Sequence, residues 1–448
     1  MAYGVPAQPD SDAFIDFAKS IGKIKPLHGV NNGPVARGEN ADLTGYHAAA
    51  GFPYTRLHDV HWPYTDAVDV STIFPIFDSD PDDPKNYTFA KTDDYLAAIV
   101  GNGSQIIYRL GESIEPWTQF HKNPPKDFEK WAKVCVNIIR HYNDGWANGF
   151  RYGIRYWEIW NEPEGRSMWT GTQQQYFELY TVTSRAIKSH DRSLKVGGPA
   201  AIDIYSDFAK TFLFFCREHD LPLDFFSWHL YTGLPKEITD AVQAARKLLD
   251  EHGFKDTESH MNEWRYMSTL KWLRPSDPRK YQEVKEKFAR TVGPEGAGFV
   301  ATVLMLLQDL PIEVTNFYSA DTSWWSMFDY FGIPSKTYFA FKAFNELAMM
   351  PDRVSCEYTS RNGVVLLAGL SEDKKKAIVL LSCFKSETDT FGVALRNLPW
   401  TGNIRVETWW VDDSHDLDLT DEQTLNVKDA VVRLKTPRNG VCVLRLSQ

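Results

Sequence analysis

Short apolar runs and longer amphipathic stretches alternate along the chain from about residue 24 to residue 350. The runs at 25–30, 54–58, 105–110, 155–160, 194–198, 225–231, 258–264 and 313–318 have the length of strands. Between them, apolar residues recur every three to four positions. In 126–142 these are Phe128, Trp131, Ala132, Val134, Cys135, Ile138 and Ile139, one face of a helix. The stretch 172–190 opens with Thr172-Gln-Gln-Gln175, which fits a capping box, and continues with Tyr176, Phe177, Leu179 and Tyr180. Further helical patterns cover 208–219, 238–252, 297–307 and 336–349. Eight strands alternating with helices predict an α/β fold of the (β/α)8 TIM barrel type. The competing doubly wound sheet calls for a glycine-rich phosphate turn after its first strand. Gly29-Val-Asn-Asn-Gly33 is too irregular to serve as one.

Beyond Pro351 the texture changes. The runs 364–368, 377–382, 391–395, 404–411, 431–434 and 441–446 are short, β-rich and parted by polar turns. A C-terminal antiparallel β-sandwich is expected there, giving a catalytic barrel over 1–350 and an accessory domain over 351–448. At 448 residues the chain is too long for one compact core, which agrees with that division.

Composition narrows the partners. A formal net charge of −10 argues against nucleic acid and anionic membrane, and no apolar stretch approaches the length of a membrane span. The aromatic fraction of 14%, with 15 Trp, suits flat stacking on sugar rings, although most of those rings belong to a core. Five scattered cysteines show no metal-ligand spacing, so neither a metal nor another cofactor is expected. The first residues carry no basic segment followed by an apolar run, which points to a cytoplasmic protein with reduced thiols. A homo-oligomer stays open.

The candidate chemistry sits at strand ends. Tyr156-Trp-Glu-Ile-Trp160 reads as a buried strand that breaks into Asn161-Glu162, and Pro163 prevents its continuation. In a barrel such a C-terminal strand end lines the active-site mouth. Three strand–helix units later, His260-Met-Asn-Glu-Trp264 places Glu263 in the equivalent position. Two carboxylates across one mouth are what glycosidic cleavage with retention requires, at a carboxyl separation of roughly 5–5.5 Å. On the strand between, Ser227, His229 and Tyr231 share a face, and Tyr231 is placed to hydrogen-bond Glu263. Arg56 and His58 share a face of the second strand and are candidate substrate contacts, and an arginine favours the charged form of a carboxylate beside it. Trp264, Trp324 and Trp325 are candidate stacking platforms, with Glu112 and Glu115 as candidate hydroxyl contacts.

These residues resemble a known family. Trp157-Glu-Ile-Trp-Asn-Glu-Pro163 looks like the acid/base segment of clan A glycoside hydrolases. Arg56-Leu-His58, Val196-Gly-Gly-Pro199, Asp224-Phe-Phe-Ser-Trp-His-Leu-Tyr231 and Asn262-Glu-Trp264 together resemble family 39, which includes β-xylosidases and α-L-iduronidases. Val406-Glu-Thr-Trp-Trp-Val-Asp-Asp-Ser-His415 is similar to a β-domain strand and turn of its xylosidases. The resemblance implies a retaining O-glycosidase with Glu162 as acid/base and Glu263 as nucleophile. It also implies Asn161 as partner of the sugar 2-OH, His229 and Tyr231 around the cleaved sugar, and no metal. Exo action on a terminal pentose such as a β-xyloside is expected. The alternatives are an endo-acting glycanase of the same clan and a carbohydrate-binding protein without turnover. The sequence departs from the family at Trp228, at Met261-Asn262 and at Arg37-Gly-Glu-Asn40, which bears on substrate rather than reaction.

Overall fold

The computed structural model describes residues 11–34, 41–60, 66–114, 122–268, 278–323, 326–358 and 363–448. The first strand, β1 (Ala13–Lys23), precedes the barrel. The barrel strands are β2 (Gly29–Asn31), β3 (Tyr54–Leu57), β4 (Gln105–Leu110) and β5 (Tyr156–Ile159), then β6 (Lys195–Ala201), β7 (Phe225–Thr232), β8 (Glu258–Tyr266) and β9 (Val314–Phe317). Among the described residues these eight pair in parallel and in order. The ring closes where Gly29 and Val30 of β2 meet Asn316 and Phe317 of β9.

The expected helices form on the predicted faces. In Phe128–Asn143 the apolar stripe is buried, and Asp127 caps the start by accepting from the Lys130 N–H at 3.0 Å. Gln173–His190 begins with the capping box formed by Thr172 and Gln175. The helices Thr44–Ala50, Ala90–Gly101 and Tyr281–Val292 were not anticipated.

The second layer is a sheet of β10 (Asp352–Tyr358), β11 (Val364–Leu370), β12 (Lys376–Cys383), β13 (Thr390–Arg396), β14 (Asn403–Val411), β15 (Asp416–Asn426), β16 (Val431–Lys435) and β17 (Gly440–Ser447). Among the described residues it has nine strands in the order β15-β14-β17-β12-β11-β10-β1-β13-β16. β1 therefore belongs to this sheet, antiparallel to β10 and parallel to β13, and not with the barrel span of 1–350 expected from sequence. Ala13, Ile15 and Phe17 bury one face of it in the sheet's own core, which is why a strand so far away in sequence docks there.

The barrel interior is layered. At the N-terminal end Tyr54, Ile107, Tyr156, Phe225 and Val314 fill the bore. His260 stacks on Phe225 at 4.6 Å, and Tyr156 donates to Glu258 at 3.0 Å. The next layer is polar and buried: Asn31, Arg56, Glu158 and Asn262. Above it opens the mouth.

Candidate active site

Strand β5 runs inward-outward by parity. Tyr156 and Glu158 face the bore, while Trp157 stacks outward on Tyr108 at 5.1 Å. The chain then turns sharply. Trp160 and Glu162 hold left-handed backbone, with φ of 70° and 45°. Trp160 is locked by its Nε1–H bond to the Met168 carbonyl and by edge contact with Trp169. The N–H of Glu162 donates to the Ala200 carbonyl at 3.2 Å, fastening the turn to the end of β6.

Glu263 reaches the same space by a different device. The register between β7 and β8 shifts between Trp228/Met261 and His229/Glu263, leaving Asn262 as an extra residue on β8. This β-bulge lets two consecutive side chains, Asn262 and Glu263, point into the barrel. Strict alternation would have sent Glu263 outward with Met261.

The polar layer orients what stands above it. Arg56 is fully buried, and each of its three nitrogens has an acceptor. Nε donates to Glu158 at 2.7 Å, Nη1 to Glu263 at 2.9 Å and to Asn31 at 3.1 Å, and Nη2 to Asn161 at 2.6 Å. Because arginine only donates, it must face the Asn161 oxygen, which turns the amide N–H2 the other way. Tyr231 donates to the second oxygen of Glu263 at 2.6 Å. His229 Nδ1 lies 2.7 Å from Glu162 and 3.5 Å from Glu263, between the two carboxyls.

One side-chain oxygen of Glu162, one of Glu263 and a ring nitrogen of His229 all lie within 4.8 Å of one another. Oxygens that close fall short of the roughly 6.5–9.5 Å carboxyl separation that leaves room for a water in inverting glycosidases and lie nearer the roughly 5–5.5 Å of retaining ones. Burial pushes the Glu162 carboxyl up to about 7, against the opposing pull of Arg56. Burial lowers His229 to about 4, so its ring is neutral near pH 7. Tyr231 is pushed well above its usual value by burial and by Glu263, which keeps it a donor.

Several expected contacts fall elsewhere. Trp264 is fully buried on the outside of β8, against Phe317 at 5.4 Å and Phe341 at 6.4 Å, and offers no face to a sugar. The bulge that turns Glu263 inward turns Trp264 outward. Arg56 is placed as a support rather than a substrate contact: it is fully buried, and four of its five N–H donors bond Glu158, Asn31, Glu263 and Asn161. His58 lies with Nε2 3.8 Å from Glu263 and 3.5 Å from Asp59. Burial, Arg109 and Arg56 hold it well below its usual pKa and neutral. Glu112 is buried, and both its oxygens accept from Ser71. Trp324, Trp325, Glu115 and Arg37–Asn40 lie outside the described residues.

Three residues were missed. Glu158 and Asn31 belong to the polar layer, and the signal for Glu158 was a charged residue at an inward position two before Trp160. Glu164 accepts the Ile202 N–H at 2.6 Å beside the turn that carries Glu162, and burial pushes it up to about 7.

Known proteins resemble this chain in sequence and in fold. The profile of glycosyl hydrolases family 39 matches residues 34–281. A β-xylosidase of Geobacillus stearothermophilus is 28% identical over 253 residues, 50% of this chain and 47% of that protein. A β-xylosidase of Caldicellulosiruptor saccharolyticus is 25% identical over 318 residues, 64% of this chain and 58% of that protein. The chain thus spans about half the length of these relatives. In fold, it resembles a glucosidase from Croceicoccus marinus with a TM-score of 0.85, at 23% identity over 98% of this chain and 99% of that one. A monomeric β-xylosidase from Caulobacter crescentus gives 0.76, at 17% identity over 97% and 99%. The sequence match, and the closed barrel with a second, mostly antiparallel sheet, lead to one assignment: the chain belongs to glycosyl hydrolases family 39.

Proposed function

We propose that this chain is a retaining glycosidase that removes a terminal β-linked xylosyl unit by double displacement. The observation that carries the reading is the pair Glu162 and Glu263, brought from the ends of β5 and β8 to within 4.8 Å. In the first half-reaction a Glu263 oxygen bonds to the anomeric carbon as the glycosidic C–O bond breaks. The departing oxygen takes the proton of Glu162. In the second, Glu162 takes a proton from water, the water oxygen bonds to the anomeric carbon, and Glu263 is released. Two inversions leave the configuration unchanged.

The other groups have roles that follow from their placement. Asn161, held by Arg56 through its oxygen, offers its N–H2 to the sugar 2-OH, a hydrogen bond that strengthens as the ring gains positive charge. Tyr231 and Arg56 aim Glu263 at carbon. The choice of a xyloside is supported by the β-xylosidases that the chain resembles in sequence.

Glu263→Ala and Glu162→Ala separate the roles. With 2,4-dinitrophenyl β-xyloside and azide, Glu263→Ala is expected to give a xylosyl azide of inverted configuration. Glu162→Ala is expected to give the retained azide and to lose activity on substrates with poor leaving groups. Wild-type rates on an unactivated xyloside in both variants would overturn the assignment.

A further inference from the structure

The cation at the centre of the site is shared by two carboxylates, and only one of them reacts. Arg56 Nε bonds Glu158 at 2.7 Å and Arg56 Nη1 bonds Glu263 at 2.9 Å. Glu158 is completely buried on β5, below the turn that carries Glu162, and has no route to a ligand. Its other oxygen accepts from Asn262 Nδ2, the residue that makes the β8 bulge and immediately precedes Glu263. Glu158 therefore touches the nucleophile's surroundings twice, through Arg56 and through the bulge.

We propose that Glu158 is a positioning residue that divides the charge of Arg56 with Glu263, and so sets the rates of the two half-reactions in opposite directions. The inference rests on the double-displacement reading above. Charge counting gives the direction. With Glu263 free, one guanidinium faces two carboxylates. With Glu263 bonded to the sugar, the guanidinium still faces Glu158, so the intermediate holds no uncompensated buried cation. Without the charge of Glu158, Arg56 holds Glu263 more tightly as an anion, so Glu263 attacks carbon more slowly. The same pull makes Glu263 a better leaving group when water attacks. The first half-reaction slows and the second does not.

The test uses Glu158→Gln, which keeps the shape and removes the charge, with 2,4-dinitrophenyl 2-deoxy-2-fluoro-β-xyloside as probe. The rate of inactivation reads attack by Glu263, and the rate at which the isolated adduct regains activity reads its release. We expect inactivation to slow by about tenfold or more while reactivation is unchanged or faster. Glu158→Asp, which keeps the charge, retains the wild-type ratio of the two rates. A side chain that only packs would slow both in the same proportion. Parallel slowing, or wild-type values for both rates, overturns the inference. If the wild-type protein itself forms no adduct on Glu263, as read by the mass of the labelled peptide, it is the double-displacement reading that fails instead.

Discussion

At the scale of the residue, the site depends on two strained backbone positions and one displaced titration. Trp160 and Glu162 hold left-handed φ, at a cost on the order of 1–3 kcal/mol each. The buried Trp160 ring and the Glu162 N–H bond to Ala200 hold the turn against that strain. In return, Asn161 meets Arg56 and Glu162 meets His229. Burial raises Glu162 to about 7, and the sign of its effect on rate is set by its proposed role as proton donor. A proton donor works in its protonated form, which is fully populated well below pH 7 and falls about tenfold per unit above it. kcat/KM for an unactivated aryl xyloside is therefore expected to bend downward near pH 7. His229, at about 4, is already neutral there and does not produce that limb. A profile flat to pH 9 would contradict the assignment. Much of this was legible: Asn161-Glu162-Pro163 marks the turn, and Tyr231 was placed to reach Glu263. The partnership of Arg56 with Glu158 was not, because a sequence shows that a strand has a charged inward residue but not which cation lies opposite. Trp264 misled for a related reason: an aromatic next to a candidate carboxylate reads as a platform unless the local parity is known.

That parity is set at the scale of the element. Sequence placed Glu263 at the end of a strand, whereas β8 continues to Tyr266. Glu263 faces inward because of the bulge at Asn262, and no glycine or proline announces it. The strands missed were those whose form comes from their neighbours. β15 pairs with β14 at the sheet edge and is mostly exposed, so it has no apolar period to read. The barrel floor makes its own prediction. Burial pushes Glu258 up, but His260 and Lys195 outweigh it and hold the carboxyl at about 2. The folded value thus lies below the ordinary 4.5. The stability it confers is full above that value and is lost as pH falls toward 2. Discounted for solvent screening of this half-buried pair, Glu258→Gln is expected to lower unfolding stability at pH 7 by on the order of 1–2 kcal/mol. The difference from wild type should shrink steadily in urea titrations between pH 4.5 and pH 2.5. A gap of constant size across that range would mean that packing, not charge, holds the floor.

At the scale of the whole molecule, the barrel and the sheet share a core. β11 and β12 read as near-continuous apolar runs because both faces are covered. Val364, Leu366, Val379 and Leu381 enter the sheet's own core. Val365, Leu367, Ile378 and Leu380 join the barrel's, as do Val441 and Val443 of β17. Two helices make the contact: Lys336–Ala348, where Glu346 accepts from Arg445 of β17, and Pro294–Leu306, buried on nearly all sides, where Thr302 bonds Ser382 at 2.7 Å. Gly298 is a point of close approach: a Cβ there would sit 2.3 Å from the Cys383 carbonyl oxygen, backbone against backbone. Neither side can yield by rotating a side chain, so Gly298→Ala forces the helix off the sheet. The expected loss is about 1–3 kcal/mol, lowering the melting temperature by about 1–4 °C. Because one core spans both layers, calorimetry is expected to show one transition in the wild type, and the variant should move it as a unit. kcat/KM at 25 °C should stay near wild type, since the polar layer beneath Glu162 and Glu263 is built from barrel strands alone. Two separate transitions, with only the lower displaced by Gly298→Ala, would show instead that the sheet folds independently and that the shared core couples the layers too weakly to hold them together.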